Sequence, residues 1–419
     1  MAPGYAGPGS PSADHAGDDE GGDGGGEGAA IADSSSNTVA ASGVRAGEWD
    51  DNANYREFMK LMANAAGIER LDVRDRQVLV VRDSEGKAVP SCRIEVVDSA
   101  GHRATLTTLS TGRAVLFPRA EGLTSPELQV TAACGQSRLE TRASVVEGEG
   151  VINVTLPAPR ALPARLSVEV AFILDTTGSM SEEIAAVKET LVQVAGQLDS
   201  LGADIRVGMV AFKDRGDSYV TKVYPFSSDL GAFIRQTREV AAQGGGDMPE
   251  AVNEGLEVAI KQLDWQPQGT VRLAFLIGDA PPHVGRGPSY AASARAAVAR
   301  GIQIHTIAAS GMDGLGQLVW RQVAQYTGGA AMFVLRGGAG PQSVGGGDPL
   351  SSCGGTQTQY ASGNLHELVL AKIHAALAGV DADPGAIPGL GQDESARPCV
   401  ERAVAGPETP TDAAPSIAK

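Results

Sequence analysis

The sequence predicts an α/β fold: a doubly wound, Rossmann-like parallel sheet over residues 166–379, preceded by a smaller N-terminal antiparallel β-sandwich over 71–157. Three observations predict it. Between Asp72 and Pro157, short β-rich runs alternate at a period of two and are separated by turn residues. From Val168 onward, strand-like and helix-like segments alternate, which is the pattern of a parallel sheet with helical crossovers. Several of the later strands, Val271 to Ile277 above all, are almost wholly apolar, as strands covered on both faces must be.

Residues 1–45 are dominated by Gly, Ser, Pro, Asp and Glu, as in GDDEGGDGGGEG. Such a segment buries too little apolar surface to offset its chain entropy, so a disordered acidic leader is expected. A short helical segment over 46–70 follows. Its helix runs from Asn54 to Ala65, where Tyr55, Phe58, Met59 and Met62 recur at spacings of three and four, and Trp49 just ahead is placed to pin it to a neighbour. Strand runs at Val78–Val81, Ile94–Val97 and Leu128–Thr131 are separated by Asp83-Ser84-Glu85-Gly86, Asp98-Ser99-Ala100-Gly101 and Ser110-Thr111-Gly112. Residues 158–165, with Pro159 and Pro163, read as a linker.

The second domain opens with a strand over Val168–Leu174 and a helix whose face is Ile184, Val187, Leu191, Val194 and Leu198. Strands are expected at Ile205–Phe212 and Tyr219–Tyr224, then helices at Leu230–Val240 and Pro249–Leu263. Strands at Val271–Ile277, Ile302–Ala308 and Ala331–Leu335 complete the sheet, and a last helix spans Leu365–Leu377. Residues 380–419, rich in Pro, Gly, Asp and Ala, read as a flexible tail.

Composition narrows the function. The formal net charge is −16, and no cluster of Lys and Arg is present to hold phosphates, so nucleic acid and anionic membranes are excluded as partners. No apolar run reaches the roughly 18 residues of a membrane span. The first residues, MAPGYAGPGS, have neither the basic nor the apolar region of a signal peptide. Taken as written, the chain stays in the cytoplasm; a start site further upstream would allow export. The four cysteines form no C-x-x-C pair, which disfavours zinc. Their placement permits two disulfides, Cys92–Cys134 and Cys353–Cys399, and equally four buried thiols.

In a doubly wound sheet, ligands bind beyond the carboxyl ends of the strands, where strand order reverses. Three loops belong there. They are Asp175-Thr176-Thr177-Gly178-Ser179-Met180-Ser181, Gly244-Gly245-Gly246-Asp247-Met248-Pro249-Glu250 and Gly278-Asp279-Ala280-Pro281-Pro282-His283. Residues at i, i+2 and i+4 of one tight loop aim Asp175, Thr177 and Ser179 at a common centre, with Gly178 letting the backbone turn. Hydroxyls and carboxylates without His or Cys make a hard-oxygen set, suited to Mg²⁺, with Mn²⁺ and Ca²⁺ as alternatives. A lone D-x-T-x-S is a turn and helix cap as often as a ligand set. Glu250 reads as a residue complementing a helix dipole, and His283 as a hydrogen-bonded loop histidine at the rim.

The stretch AFILDTTGSMSEEI resembles the D-x-[ST]-x-S signature of the metal-ion-dependent adhesion site of von Willebrand factor A domains. GGGDMPEAV and LIGDAPPH resemble that family's second and third segments, in its D-x-T-G-S-M branch. The resemblance covers about half the chain. It implies direct metal ligation by Thr177 and Ser179, and direct or water-bridged ligation by Asp175 and Asp279. Asp247 stands where integrin-type domains use Thr, which implies tighter metal retention and weaker capture of an acidic partner. The sandwich resembles carboxypeptidase regulatory-like and other Ig-like modules, through Asp83, Gly86, Val89, Pro90, Thr108, Gly112 and Ala114. Such modules are common in envelope and secreted proteins, and the Ala-, Gly- and Arg-rich usage reads as bacterial.

The expected function is therefore metal-dependent binding of a protein partner through its Asp or Glu side chain, without catalysis. The alternative is an intracellular subunit docking onto an ATPase or chelatase-type complex. Metal-assisted hydrolysis ranks below both, because no general base has a clear role. Arg215-Gly216-Asp217 is a tripeptide that arises easily by chance, the Gly244–Gly246 run lacks the ending of a phosphate loop, and no nucleophile elbow stands at a strand end.

Overall fold

The computed structural model describes residues 44–245, 248–267, 269–285, 287–309, 311–334 and 361–393. The first elements are strand β1 (Arg45–Trp49) and helix α1 (Tyr55–Ala63). Seven strands follow: β2 (Arg76–Arg82), β3 (Arg93–Asp98), β4 (Arg103–Thr107), β5 (Arg113–Leu116), β6 (Glu127–Cys134), β7 (Ser137–Ser144) and β8 (Glu149–Thr155). They form two small sheets, ordered β5-β2-β8 and β4-β3-β6-β7. The burial of β3 and β6 alternates residue by residue, so their sheet has one apolar face; β2 of the other sheet is buried on both faces, one of them turned to it. Those faces meet in one core that includes Leu79, Val81, Ile94, Val96, Leu106, Leu116, Val130 and Ile152. All pairings are antiparallel except β2 with β8, which is parallel. A disulfide joins Cys92, the residue before β3, to Cys134, the last residue of the neighbouring β6.

The chain then alternates through β9 (Ser167–Asp175), α2 (Ile184–Leu198), β10 (Asp204–Phe212), β11 (Thr221–Ser227), α3 (Leu230–Glu239), α4 (Val252–Gln262) and β12 (Thr270–Gly278). It continues through α5 (Tyr290–Arg300), β13 (Ile302–Ala308), α6 (Gly314–Tyr326), β14 (Ala331–Val334), β15 (Ala361–Asn364) and α7 (Leu365–Ala378). Among the described residues the large sheet has eight strands, ordered β11-β10-β9-β12-β13-β14-β1-β15. The run from β10 to β14 is parallel. Order reverses at β9, which pairs with β10 on one side and β12 on the other.

Every residue of β12 is buried, because helices cover both faces of the sheet. Ala171 and Ile173 face one core with α4, α5 and α6. Val170, Phe172 and Leu174 face the other, with α2, α3 and α7. The alternation of one strand between two cores is what the sequence shows as an unbroken apolar run.

Two stretches differ from their expected roles. Arg45–Trp49, read as the end of the leader and the start of a helical segment, is a strand of the large sheet, antiparallel to both β14 and β15. Trp49 stacks on Phe333 with ring centroids 4.1 Å apart, and the buried Arg321–Asp51 pair lies beside it. Residues after α7, read as a flexible tail, turn back along the chain as far as Asp393. Val380 is buried, and the Asp393 carboxylate accepts the Arg56 and Glu57 N–H groups at 2.9 Å. Cys353, Cys399 and the acidic leader lie outside the described residues. Among the described residues, no helix is long and apolar enough to cross a membrane.

Candidate metal centre

The loops after β9 and β12 flank the strand reversal, and the loop before α4 closes over them. Leaving β9, the chain enters a single tight turn over 178–182 before α2. Asp175 folds back on this turn: its Oδ1 accepts the Thr177 N–H at 2.9 Å and the Thr177 hydroxyl at 2.7 Å. The Thr177 and Ser179 hydroxyls lie 3.1 Å apart, and Ser179 donates to Asp279 Oδ1 at 3.0 Å. Four of the five residues expected at the centre are thus joined in one hydrogen-bonded line. It runs from Asp175 and Thr177, both fully buried, through the exposed Ser179 to the buried Asp279. The fifth, Asp247, lies outside the described residues.

Glycines allow this closeness. A Cβ at Gly178 would stand 2.6 Å from the Gly244 carbonyl, which accepts the Gly178 N–H at 2.7 Å. Gly244 and Gly245 both have positive φ, and a Cβ at Gly244 would fall on the Asp217 carboxylate. At Gly278 a Cβ would press on Asp175.

The electrostatics concentrate negative charge in a buried place. Asp175 is pushed up to about 7, chiefly by burial and further by Asp279, against the bonds from Thr177. Burial also raises Asp279, against its bond from Ser179. Glu250 is pushed up to about 8, first by burial and then by Asp175, Asp214, Asp217 and Asp279. Among the described residues, one oxygen of Asp175 (Oδ2) and one of Glu250 (Oε2) are buried without a hydrogen-bond partner. No group of three or more His, Cys, Asp or Glu side chains converges as a cage among the described residues. The oxygens that do meet are two carboxylates and two hydroxyls.

Three features weighed in the sequence as lying outside the ligand set adjoin the site, together with Lys213, which the sequence pattern did not single out. Glu250 precedes α4 rather than lying in its first turn, and it is buried against the third loop, with its N–H donating to Pro281 O at 3.0 Å. His283 pairs through Nε2 with Asp214 Oδ1 at 2.6 Å, and its carbonyl accepts from Asn253. The Arg-Gly-Asp tripeptide is engaged within the chain: Arg215 pairs with Glu254, and Asp217 accepts the Gly245 N–H. Lys213 is buried beneath the loops and bonded to backbone carbonyls. Its position at the end of a strand adjoining β9 was the one legible signal, since side chains there face the strand reversal.

Comparison with known proteins bears on residues 169–289, which match the family model for the von Willebrand factor A domain. The alpha-protein kinase vwkA of Dictyostelium discoideum is 32% identical over 169 residues, covering 40% of this chain and 25% of the kinase. Human von Willebrand factor A domain-containing protein 7 is 34% identical over 124 residues, covering 29% of this chain and 13% of that protein. The chain therefore spans a quarter or less of the length of these relatives. The crystal structure of the conserved hypothetical protein BatB from Bacteroides thetaiotaomicron aligns with a TM-score of 0.31 at 18% identity, over 40% of this chain and 89% of that one. With this match running from within β9 to the residue before α5, and the reversal of strand order at β9, this part of the chain carries a von Willebrand factor A domain.

Proposed function

We propose that this chain is a binding module that engages a protein partner through a divalent cation, with no catalytic residue of its own. The observation that carries the proposal is the line Asp175–Thr177–Ser179–Asp279, with a buried Asp175 oxygen that no group among the described residues satisfies. Buried carboxylates are stable when paired or when they coordinate metal. A hard cation of the Mg²⁺ type, or Mn²⁺ or Ca²⁺, suits this oxygen set, and Asp175, Thr177, Ser179, Asp279 and Asp247 would hold it. When bound, it would offer a coordination position to an Asp or Glu side chain of the partner. A-type domains commonly mediate protein–protein interaction, and the stretch shared with the much longer kinase is consistent with a transferable module.

We further read the two small sheets as an Ig-like sandwich serving as a stalk or second contact. The Cys92–Cys134 disulfide favours an extracytoplasmic location over a cytoplasmic subunit docking on an ATPase, because structural disulfides persist in oxidising compartments.

Titration calorimetry of Mg²⁺, Mn²⁺ and Ca²⁺ into chelator-stripped protein tests the proposal. One saturable site is expected in the wild type. It should be absent from an Asp175→Ala, Ser179→Ala variant that keeps its circular dichroism spectrum. A wild type that takes up no cation sinks the proposal. An Asp247→Thr variant should hold the cation more weakly, since it loses one carboxylate; an unchanged affinity would remove Asp247 from the site.

A further inference from the structure

Lys213 follows the last residue of β10 and is buried beneath the site. Lysine is almost never fully buried unless paired. Among the described residues no carboxylate lies within ion-pair distance of its ammonium. Instead Nζ donates to the Thr176 carbonyl at 2.7 Å and to the Gln243 carbonyl. These carbonyls belong to different loops. Thr176 is in the turn that carries Asp175, Thr177 and Ser179, and Gln243 begins the glycine loop that leads to Asp247 and Glu250.

The two loops touch through backbone bonds at the same place. The Gln243 N–H donates to Thr176 O at 3.1 Å, and the Gly178 N–H donates to Gly244 O at 2.7 Å. Lys213 is itself held from a third direction, since its N–H donates to Val220 O at 3.0 Å. The Tyr219 ring lies under its ammonium at 5.4 Å, and the Tyr219 hydroxyl meets the Thr176 hydroxyl at 2.8 Å. Burial lowers the Lys213 pKa, and the nearby Asp217, Asp175 and Glu250 oppose that shift.

We propose that Lys213 is a positioning residue of the site: its ammonium braces the first loop against the second and holds Thr177 and Ser179 opposite Gly244 and Gly245. The proposal rests on the metal-binding reading, and it makes a prediction of definite sign. A lysine acting only through its charge would repel a divalent cation, so its removal would tighten binding. A lysine acting as a brace does the reverse: its removal loosens the loops and weakens binding, although a repelling charge has gone.

The test uses the full chain, stripped with chelator, and Mn²⁺ alone as probe. Lys213→Met keeps the length of the side chain and removes its donors. Its affinity for Mn²⁺ should fall by about 10- to 100-fold, the range found when groups that orient metal ligands are removed. Lys213→Arg, which keeps charge and donors, should recover part of that loss. Affinity equal to or tighter than wild type in Lys213→Met overturns the proposal. Amide hydrogen exchange of the metal-free proteins provides a second readout. The Gly178 and Gln243 amides should be protected in the wild type and should exchange faster in Lys213→Met. Unchanged protection overturns the brace even if the wild type binds no Mn²⁺, which separates its failure from that of the metal reading. If Lys213→Met does not fold, unprotected Gly178 and Gln243 amides in the wild type, or an Lys213→Arg variant binding more tightly than wild type, overturn it.

Discussion

At the scale of single residues, buried carboxylates in this chain meet opposite fates. Asp175 and Glu250 are crowded by other acids and pushed up, whereas Asp98 is held well below the usual carboxylate range. Burial pushes Asp98 up too, but it is outweighed by donors: Thr124 N–H at 2.8 Å, the His102 ring at 3.0 Å, His102 N–H at 2.8 Å and Ser125 N–H at 3.2 Å. Its folded pKa is depressed, so between the two pKa values the unfolded chain binds more protons. The stabilisation from Asp98 is therefore present above about pH 4, the unfolded value, and is lost as pH falls through the folded one. Asp98→Asn should lower the melting temperature at neutral pH and flatten the acid limb below about pH 4. An acid limb identical to that of the wild type, in melts across that range, would count against this account. Asp175, Thr177 and Ser179 stood out in the sequence because a carboxylate and two hydroxyls recur there at a spacing a tight turn can use. Lys213 offered only its place at a strand end, because a single lysine has no spacing to betray it.

At the scale of elements, most helices and strands were visible in periodicity, and those that were not depend on distant partners. Arg45–Trp49 has no alternation of its own that separates it from a loop. It becomes a strand because β14 and β15 present open edges on either side of it. Helix α1 shows a clear apolar stripe, and Tyr55, Phe58 and Met62 are buried as that stripe implies. Its start, however, has no capping side chain next to it: Asn54 makes no side-chain cap bond. The N–H groups there are accepted by Asp393, more than 300 positions along the chain. Removing a carboxylate that caps a helix costs about 1 kcal/mol. Asp393→Ala should lower stability by about that amount in urea unfolding, and exchange at the Arg56 and Glu57 amides should accelerate. Unchanged exchange at both amides would show that the cap does not form in solution.

At the scale of the whole molecule, the small sheets and the A domain are tied by polar contacts rather than by a linker alone. Arg160 bonds to the Ala88 and Val380 carbonyls and pairs with Asp381, and the Thr107 hydroxyl reaches Ala299 O at 2.8 Å. Inside the small unit the Cys92–Cys134 disulfide spans 42 residues of sequence. A crosslink of this kind contributes about 2–4 kcal/mol. Cys92→Ser, Cys134→Ser should lose a stability of that order in chemical denaturation. A variant as stable as the wild type would mean that the crosslink constrains nothing.

The sequence by itself determined the α/β class, the order of most strands and helices, and the loops that carry Asp175, Thr177, Ser179 and Asp279. Local periodicity marks the elements, and the short spacing of Asp175, Thr177 and Ser179 marks the first loop; Asp279, 100 positions beyond Ser179, is marked by its own place after an apolar strand. The tertiary structure decided which strand fills the place between β14 and β15, what satisfies the start of α1, and how the loops meet over Lys213. Each of these joins residues far apart in sequence through backbone hydrogen bonds, and every peptide unit carries the same donor and acceptor. Composition cannot mark which carbonyl a distant ammonium or carboxylate will find; only the packed fold selects it.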